Sequence, residues 1–427
     1  VRRIIGITVF AVALTLGSVV AAQEAWPDLS GQSVDVTGVW TGAAQESFEL
    51  VVQRFNELTG ANASYSAAGT DIGTVVGTQI EGGQPPDVAM LPQPGLLVEF
   101  AQRGVLQPIE DVAGDLVDEH YAPVWRELGS VDGTLYGVWF KAANKSLLWY
   151  NADLFEQAGV SPPTTWDEMM AAAATFLDFG ITPFSVGGGS AWTLTDWFEN
   201  IYIRTAGPEM YDQLTRHEIP WTHDTVVEAL ERFAEVVGRP EFLAGGVQGT
   251  LEANHPTGIV QPFLEPPRAA MVYGADFSAG AIMNETNAVL GETARFVPFP
   301  SIDGSEPSVV GGGDVAVLFT DNEAGRALIR FLATAEAAEI WAPRGGYTSP
   351  NQAVDPATYP SDIVRSSAEA LQQAAVFRFD LSDLQPSAFG STAGQGLFGL
   401  LQEFVRNPDV QATSRALESA ASQAFGD

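Results

Sequence analysis

From Gly31 onward the chain repeatedly alternates short β-rich runs with amphipathic helices, and this rhythm restricts it to the α/β folds more than any other feature. "VDVTGVW" alternates from Val34 to Trp40, as a half-buried strand does. The next segment sets Phe48, Val51, Val52, Phe55 and Leu58 on one helical face, with Gly60 where a C-cap belongs. "PPDVAML" predicts a buried strand ending at Leu91. "TTWDEMMAAAATFLDFG" carries a capping box, Thr165 with Glu168, and a stop at Gly180. Val226, Leu230, Phe233 and Val237 form another stripe, ended by Gly238. Strand-like runs surround Met271, Val297 and Val317, and Thr320 with Glu323 is expected to cap a helix through Leu332. A chain of 427 residues exceeds one ordinary core, and no repeat or long linker divides it. Two interleaved lobes are expected.

Charge and composition narrow the partners. A net charge of -33 argues against nucleic acid and anionic membrane, whose phosphates would be repelled. The opening "VRRIIGITVFAVALTLGSVVAAQEAW" joins a basic start, an apolar run and the small residues Val20, Ala21 and Ala22. It reads as a signal peptide, residues 1–22, cleaved after Ala22. The alternative is an uncleaved anchor, since the run approaches the roughly 20 residues that span a bilayer. With no cysteine there is neither a disulfide nor a thiol to carry a lipid. The expectation is an exported, soluble, periplasmic protein.

Catalytic signatures are missing. No GxGxxG opens a helix after a strand, and there is no P-loop, Ca²⁺-loop spacing or GxSxG elbow. The triple glycines at 187–189 and 311–313 lack phosphate-loop context and read as turns or close backbone approaches. His120, His217, His223 and His255 show no zinc spacing and are expected at the surface. No metal site or cofactor is expected. Acidic pairs such as Asp196 with Glu199 and Asp380 with Asp383 leave one enzymatic alternative, a secreted glycoside hydrolase using two carboxylates.

What stands out is aromatic residues beside carboxylates and amides. "GVWTGAAQESF" sets Trp40 beside Thr41 and Glu46, and "GGGSAWTLTDWFEN" brings Trp192, Asp196, Trp197, Glu199 and Asn200 within nine positions. "FRFDLSDLQPSAFG" adds Arg378, Asp380, Asp383 and Phe389. Aromatic rings stack on the C–H faces of a sugar, and charged acceptors bind its hydroxyls about twice as strongly as neutral ones. Trp149, Trp166 and Trp341 read instead as core. Lys141 and Lys145, in "GVWFKAANKSLLWYN", are the only lysines in the chain. Either arginine simply replaces lysine everywhere else, or a slim point charge fits here where a planar fork does not.

Nine motifs in order resemble the extracellular solute-binding proteins of carbohydrate ABC importers, a family that includes maltodextrin-binding protein. They are "TGVWTGAAQESFE", "GGQPPDVAMLPQPGLL", "KSLLWYNADLFEQAG", "TTWDEM", "SAWTLTDWFEN", "AAMVYGADF", "GGGDVAVLF", "GGYTSPNQAV" and "FRFDLSDLQPSAFG", running from about Val34 to the C-terminus. The chain looks closest to the α-glucoside-binding branch. The resemblance implies a two-lobed periplasmic-binding-protein fold of type II kind, with three crossings near Ala142–Leu147, Val309–Gly313 and Gly346–Ser349. Lobe one would be residues 23–142 plus 311–348, and lobe two 143–310 plus 349–427.

Carried over by position, the cleft would hold Trp40, Thr41, Glu46 and Gln93, then Lys145 at its floor. Trp192, Asp196, Trp197, Asp276, Phe277, Asp314, Tyr347 and Arg378 would complete it. The implied function is that of a monomeric binding protein, not an enzyme, which captures a sugar by hinge closure and presents it to the importer permease. A tryptophan–aspartate arrangement found in maltodextrin-binding protein is absent from "MLPQPG", so a short α-glucoside is preferred to long maltodextrins. A polyol or another small solute is the remaining alternative.

Overall fold

The computed structural model describes residues 26–374 and 376–426; the expected signal peptide lies outside them. Two sheets organise the chain. The first has six strands, running in the order Val376–Phe379, Ser308–Leu318, Val88–Leu91, Ser33–Gly38 and Asn62–Ala67, with Gly137–Asn144 also paired to Ser308–Leu318. Ser33–Gly38 is parallel to both of its neighbours, while Ser308–Leu318 is antiparallel to Val88–Leu91 and to Gly137–Asn144. The second sheet has four strands in the order Ala294–Pro298, Leu147–Asn151, Met271–Tyr273 and Phe184–Ser185.

Local sequence accounts for these elements. The helix Gly42–Thr59 buries Phe48, Val51, Val52 and Phe55 and stops at Gly60, whose φ of 73° suits glycine and whose N–H bonds Asn56. Each such fully buried side chain contributes about 1.5–3 kcal/mol over leaving it in water. The helix Trp166–Asp178 has both bonds of the Thr165–Glu168 capping box. One cap differs from expectation. The helix Glu323–Leu332 is capped by Asn322, whose side chain accepts from Gly325 N–H, while the Thr320 hydroxyl donates to Asp87. An asparagine at the N-cap outcompetes a threonine two residues earlier because its oxygen reaches the first free N–H groups.

Each sheet has its own hydrophobic cluster. Phe48, Phe55, Trp139, Phe140 and Trp341 belong to the first, and Trp166, Trp197, Tyr202, Phe233 and Phe404 to the second. The chain passes from first sheet to second over Lys145–Ser146, between the strands Gly137–Asn144 and Leu147–Asn151. It returns over residues 299–307, ahead of the strand Ser308–Leu318. Near that passage Ala142 N–H bonds the Thr348 carbonyl at 2.8 Å, tying in the segment 346–349. Two layers of secondary structure thus meet where the lysines stand.

Candidate functional site

The strand Gly137–Asn144 is buried along its whole length and carries Lys141 into the interior, and Lys145, one residue past its end, is buried as well. Their surroundings differ. Lys145 Nζ lies 2.5 Å from Asp380 Oδ2, 3.3 Å from Asp196 Oδ1 and 3.6 Å from Asp383 Oδ2, with the Trp192 ring 5.4 Å away. Gly312 makes room for its stem, since a Cβ there would sit 2.6 Å from Lys145 Cε. The triple glycine at 311–313 is therefore a close-approach device.

The crossing backbone is pinned. Lys145 N–H donates to Val310, and its carbonyl accepts from Asn200 Nδ2 at 2.7 Å and from the Tyr273 hydroxyl at 2.6 Å. Ser146 Oγ donates to Asn200 Oδ1 and accepts from Val310 N–H, while Arg204 links Asn200 to the Ser308 carbonyl. Glu199 accepts from the N–H groups of Leu381 and Ser382 at 2.8 and 3.0 Å, fixing the turn that carries Asp380.

Burial pushes Asp196, Glu199 and Asp383 well above the ordinary carboxyl range, and the neighbouring acids push them further. Burial acts the same way on Asp380, but Lys145 and hydrogen bonds overcome it and hold this carboxyl down to about 2. For Lys145 burial works downward, and Asp196, Asp380 and Asp383 together lift it well above an ordinary lysine. The charged pair is thus Lys145 with Asp380. Asp196 Oδ2 has no hydrogen-bond partner among the described residues, and the neighbouring Asp380 and Asp383 add to the upward pull of burial on this carboxyl.

Lys141 lies in an aromatic setting. Its Nζ is 4.6 Å from the centre of the Phe277 ring and 5.4 Å from that of Trp341. The one carboxylate within ion-pair range among the described residues is Asp314, at 3.9 Å, beyond hydrogen-bonding distance. Burial lowers its pKa, and Asp314 and Asp276 only partly oppose that. Trp40 donates to Asp314 from Nε1 at 3.2 Å and packs on Trp341 at 4.9 Å between ring centres. Asp276 Oδ2 accepts from Thr348 Oγ1 at 2.7 Å, while its Oδ1 has no hydrogen-bond partner among the described residues. Burial raises both Asp276 and Asp314. Trp192 links the two lysine environments, with ring centres 6.0 Å from Phe277 and 4.8 Å from His255.

The structure therefore brings Trp40, Lys145, Trp192, Asp196, Asp276, Phe277 and Asp314 into one constellation, with Trp192 and Phe277 half-buried and the others buried. It separates the other candidates from it. Trp197 packs on Phe184, Phe233, Tyr273 and Phe299 within the second cluster, and Tyr347 is buried against Phe140 and Trp341 with its hydroxyl on the Phe140 carbonyl. Arg378 is committed to Asp212 by bonds of 2.5 and 2.9 Å. Thr41 and Glu46 are exposed at the start of their helix, and Gln93 is half-buried at the N-cap of Pro94–Gln102. Trp149, Trp166 and Trp341 are buried, although Trp341 also backs Lys141.

The cleft carried over by position omitted Lys141, Asp380, Asp383 and His255, although Asp380 and Asp383 stood in the aromatic–carboxylate pattern and Lys141 was one of the two lysines singled out. His255 is a half-buried ring between Trp192 and Phe277 and not a surface histidine; burial and both lysines push it down to about 3, so it stays neutral. The aromatic next to it could have signalled this only through tertiary contact. No group of histidines and carboxylates poised for a metal ion occurs among the described residues.

Comparison with known proteins fits this arrangement. The family model described as bacterial extracellular solute-binding protein matches residues 38–339. The osmoprotective compounds-binding protein GgtB of Synechocystis is 35% identical over 371 residues, 85% of this chain and 87% of that protein. The alpha-glucosides-binding periplasmic protein AglE of Rhizobium meliloti is 33% identical over 384 residues, 86% and 82% of the two chains. Among solved structures, a chitin oligosaccharide binding protein superposes with a TM-score of 0.80 at 20% identity, over 92% of this chain and 99% of that one. That likeness establishes the two-lobed α/β fold. The chain belongs to the bacterial extracellular solute-binding proteins, a family that captures its solute and does not convert it.

Proposed function

We propose that the chain is the solute-capturing subunit of an ABC importer and that its solute is a sugar, most suitably a short α-glucoside. The observation that carries this reading is the constellation where the chain passes between its two sheets. Asp196 Oδ2 and Asp276 Oδ1 offer acceptors for hydroxyl donors, Lys141 Nζ, without a hydrogen-bond acceptor among the described residues, offers donors, and Trp192 and Phe277 offer faces for a sugar ring. The proposed lobes are residues 23–142 plus 311–348 and 143–310 plus 349–427, hinged about the crossings, with the strand Val376–Phe379 of the second portion pairing into the first sheet. Solute binding would favour the closed arrangement by its higher affinity for it, and the permease would recognise that shape. Within the constellation we assign Lys141 to the solute and Lys145 to holding the acidic turn in place. The relative AglE is named for alpha-glucosides, which supports the sugar. GgtB is named for osmoprotective compounds, which supports a second reading, a polyol or another small solute.

Export with residues 1–22 removed and work as a periplasmic monomer belong to the same proposal. Among the described residues no helix is long and apolar enough to cross a membrane. A thermal-shift panel of α-glucosides, other sugars and polyols tests the reading. A solute at 100 times its Kd adds about 2.7 kcal/mol of stability, and it should be recovered chemically intact. No response to any member of the panel would overturn it.

A further inference from the structure

The helix Pro94–Gln102 packs with the first sheet and also meets the short helix Leu381–Leu384, which packs with the second half of the molecule. Gly95 stands at that contact. A Cβ on it would lie 2.6 Å from the carbonyl oxygen of Gln385 and 3.1 Å from that of Asp383. Both obstacles are backbone atoms, so no side-chain rotation could relieve them. One turn further along, Glu99 Oε2 accepts from Ser387 Oγ at 3.0 Å, continuing the contact. Beside it runs a cavity of about 170 Å³, lined by Gln93, Glu99 and Arg103 on one side and by Ser387, Ser391 and Thr392 on the other. Faces lined this way keep their hydrogen bonds to water when they separate, as faces that part between domains do.

We infer that Gly95 is the contact on which the two lobes close, and that its missing side chain sets how far they close over the solute. The inference rests on the solute-binding reading and adds the residue that limits capture. The contact reaches the site directly, because Asp383, whose carbonyl faces Gly95, also lies 3.6 Å from Lys145. Glycine is a poor choice for the first turn of a helix on propensity alone, where alanine or serine would serve better. A purely local role would therefore make its replacement neutral or stabilising. A closure role makes the same replacement weaken contact between the lobes.

The absence of native cysteine allows a clean test. Glu99→Cys with Ser387→Cys, treated with a short bis-maleimide, should cross-link, and addition of Gly95→Val should slow cross-linking by about tenfold or more. The melting temperature of the free protein should stay within about 2 °C of the parent pair. Gly77→Ala serves as control, since Gly77 lines the same cavity and has open space around it; cross-linking should be unaffected. Unchanged cross-linking with Gly95→Val would overturn the inference, as would a loss that only accompanies a falling melting temperature. Because this readout needs no solute, it stands apart from the sugar panel: a chain that responds to no sugar would fail the functional reading while the cross-link still reports on Gly95.

Discussion

Lys145 has three carboxylates within 3.6 Å, whereas Lys141, four residues earlier on the same buried segment, has one at 3.9 Å and two aromatic faces. Desolvation pulls both downward, yet the surroundings lift one pKa and leave the other lowered. Lys145 satisfies its charge inside the protein and holds the turn at Asp380. Among the described residues Lys141 Nζ has no hydrogen-bond acceptor. On the proposed function, standing at the crossing between the sheets is not enough to make a residue a ligand contact. What counts is whether its polar atoms are already used.

Removing the used charge should have the largest effect. Lys145→Met leaves Asp380 buried without its cation and should cost about 3–5 kcal/mol in urea denaturation. A cost below about 1 kcal/mol would erase the distinction between the lysines. The two tryptophans of the helix Trp192–Thr215 extend the contrast to aromatics. Trp197→Ala should lose about 3–5 kcal/mol of stability as a core truncation. Trp192→Ala should instead lose about 1–3 kcal/mol of solute affinity by titration calorimetry while the free protein melts nearly unchanged.

Proton linkage gives a smaller, graded test. Asp196, Glu199, Asp276, Asp314 and Asp383 all have raised pKa values when folded, so the folded chain holds protons that the unfolded chain releases. Stability from these groups therefore falls as pH rises above the ordinary carboxyl range. Asp380 works the other way, its contribution present above the ordinary value and lost as pH falls through about 2. The melting temperature should thus decline from mildly acid toward alkaline pH, and Asp196→Asn should flatten that slope. An equal slope in the variant would remove Asp196 from the linkage. Smallest of all is Arg378→Ala. Its pair with Asp212 is about one-third exposed, so stability should fall by no more than about 1 kcal/mol and affinity should not move.

Much of the fold was legible because short-range signals carry it. Strand alternation, the Thr165–Glu168 box, the stop at Gly60 and the burial of Trp149 are set by neighbours within a few residues. The site was legible in part. Trp192, Asp196, Glu199 and Asn200 fall on one stripe of a 3.6-residue helix, while Trp197, five residues after Trp192, is turned about 140° away. Periodicity could have separated the two tryptophans, but this helix is buried through most of its first half, Asp196, Glu199 and Asn200 included, so no solvent-facing side orients it. The partners of Lys145 were beyond sequence reach. Asp380 is 235 residues away, and only the packing of Leu381–Leu384 on the helix bearing Asp196 brings them together.

Lys141 is the lysine proposed to meet the solute. Titration calorimetry of the parent and of Lys141→Met, using the α-glucoside or polyol that most stabilises the parent, tests it directly. Loss of a charged hydrogen-bond donor should weaken binding by about ten- to a hundredfold, with urea denaturation of the free variant within about 1 kcal/mol of the parent. Binding of Lys141→Met with the parent's affinity would contradict it.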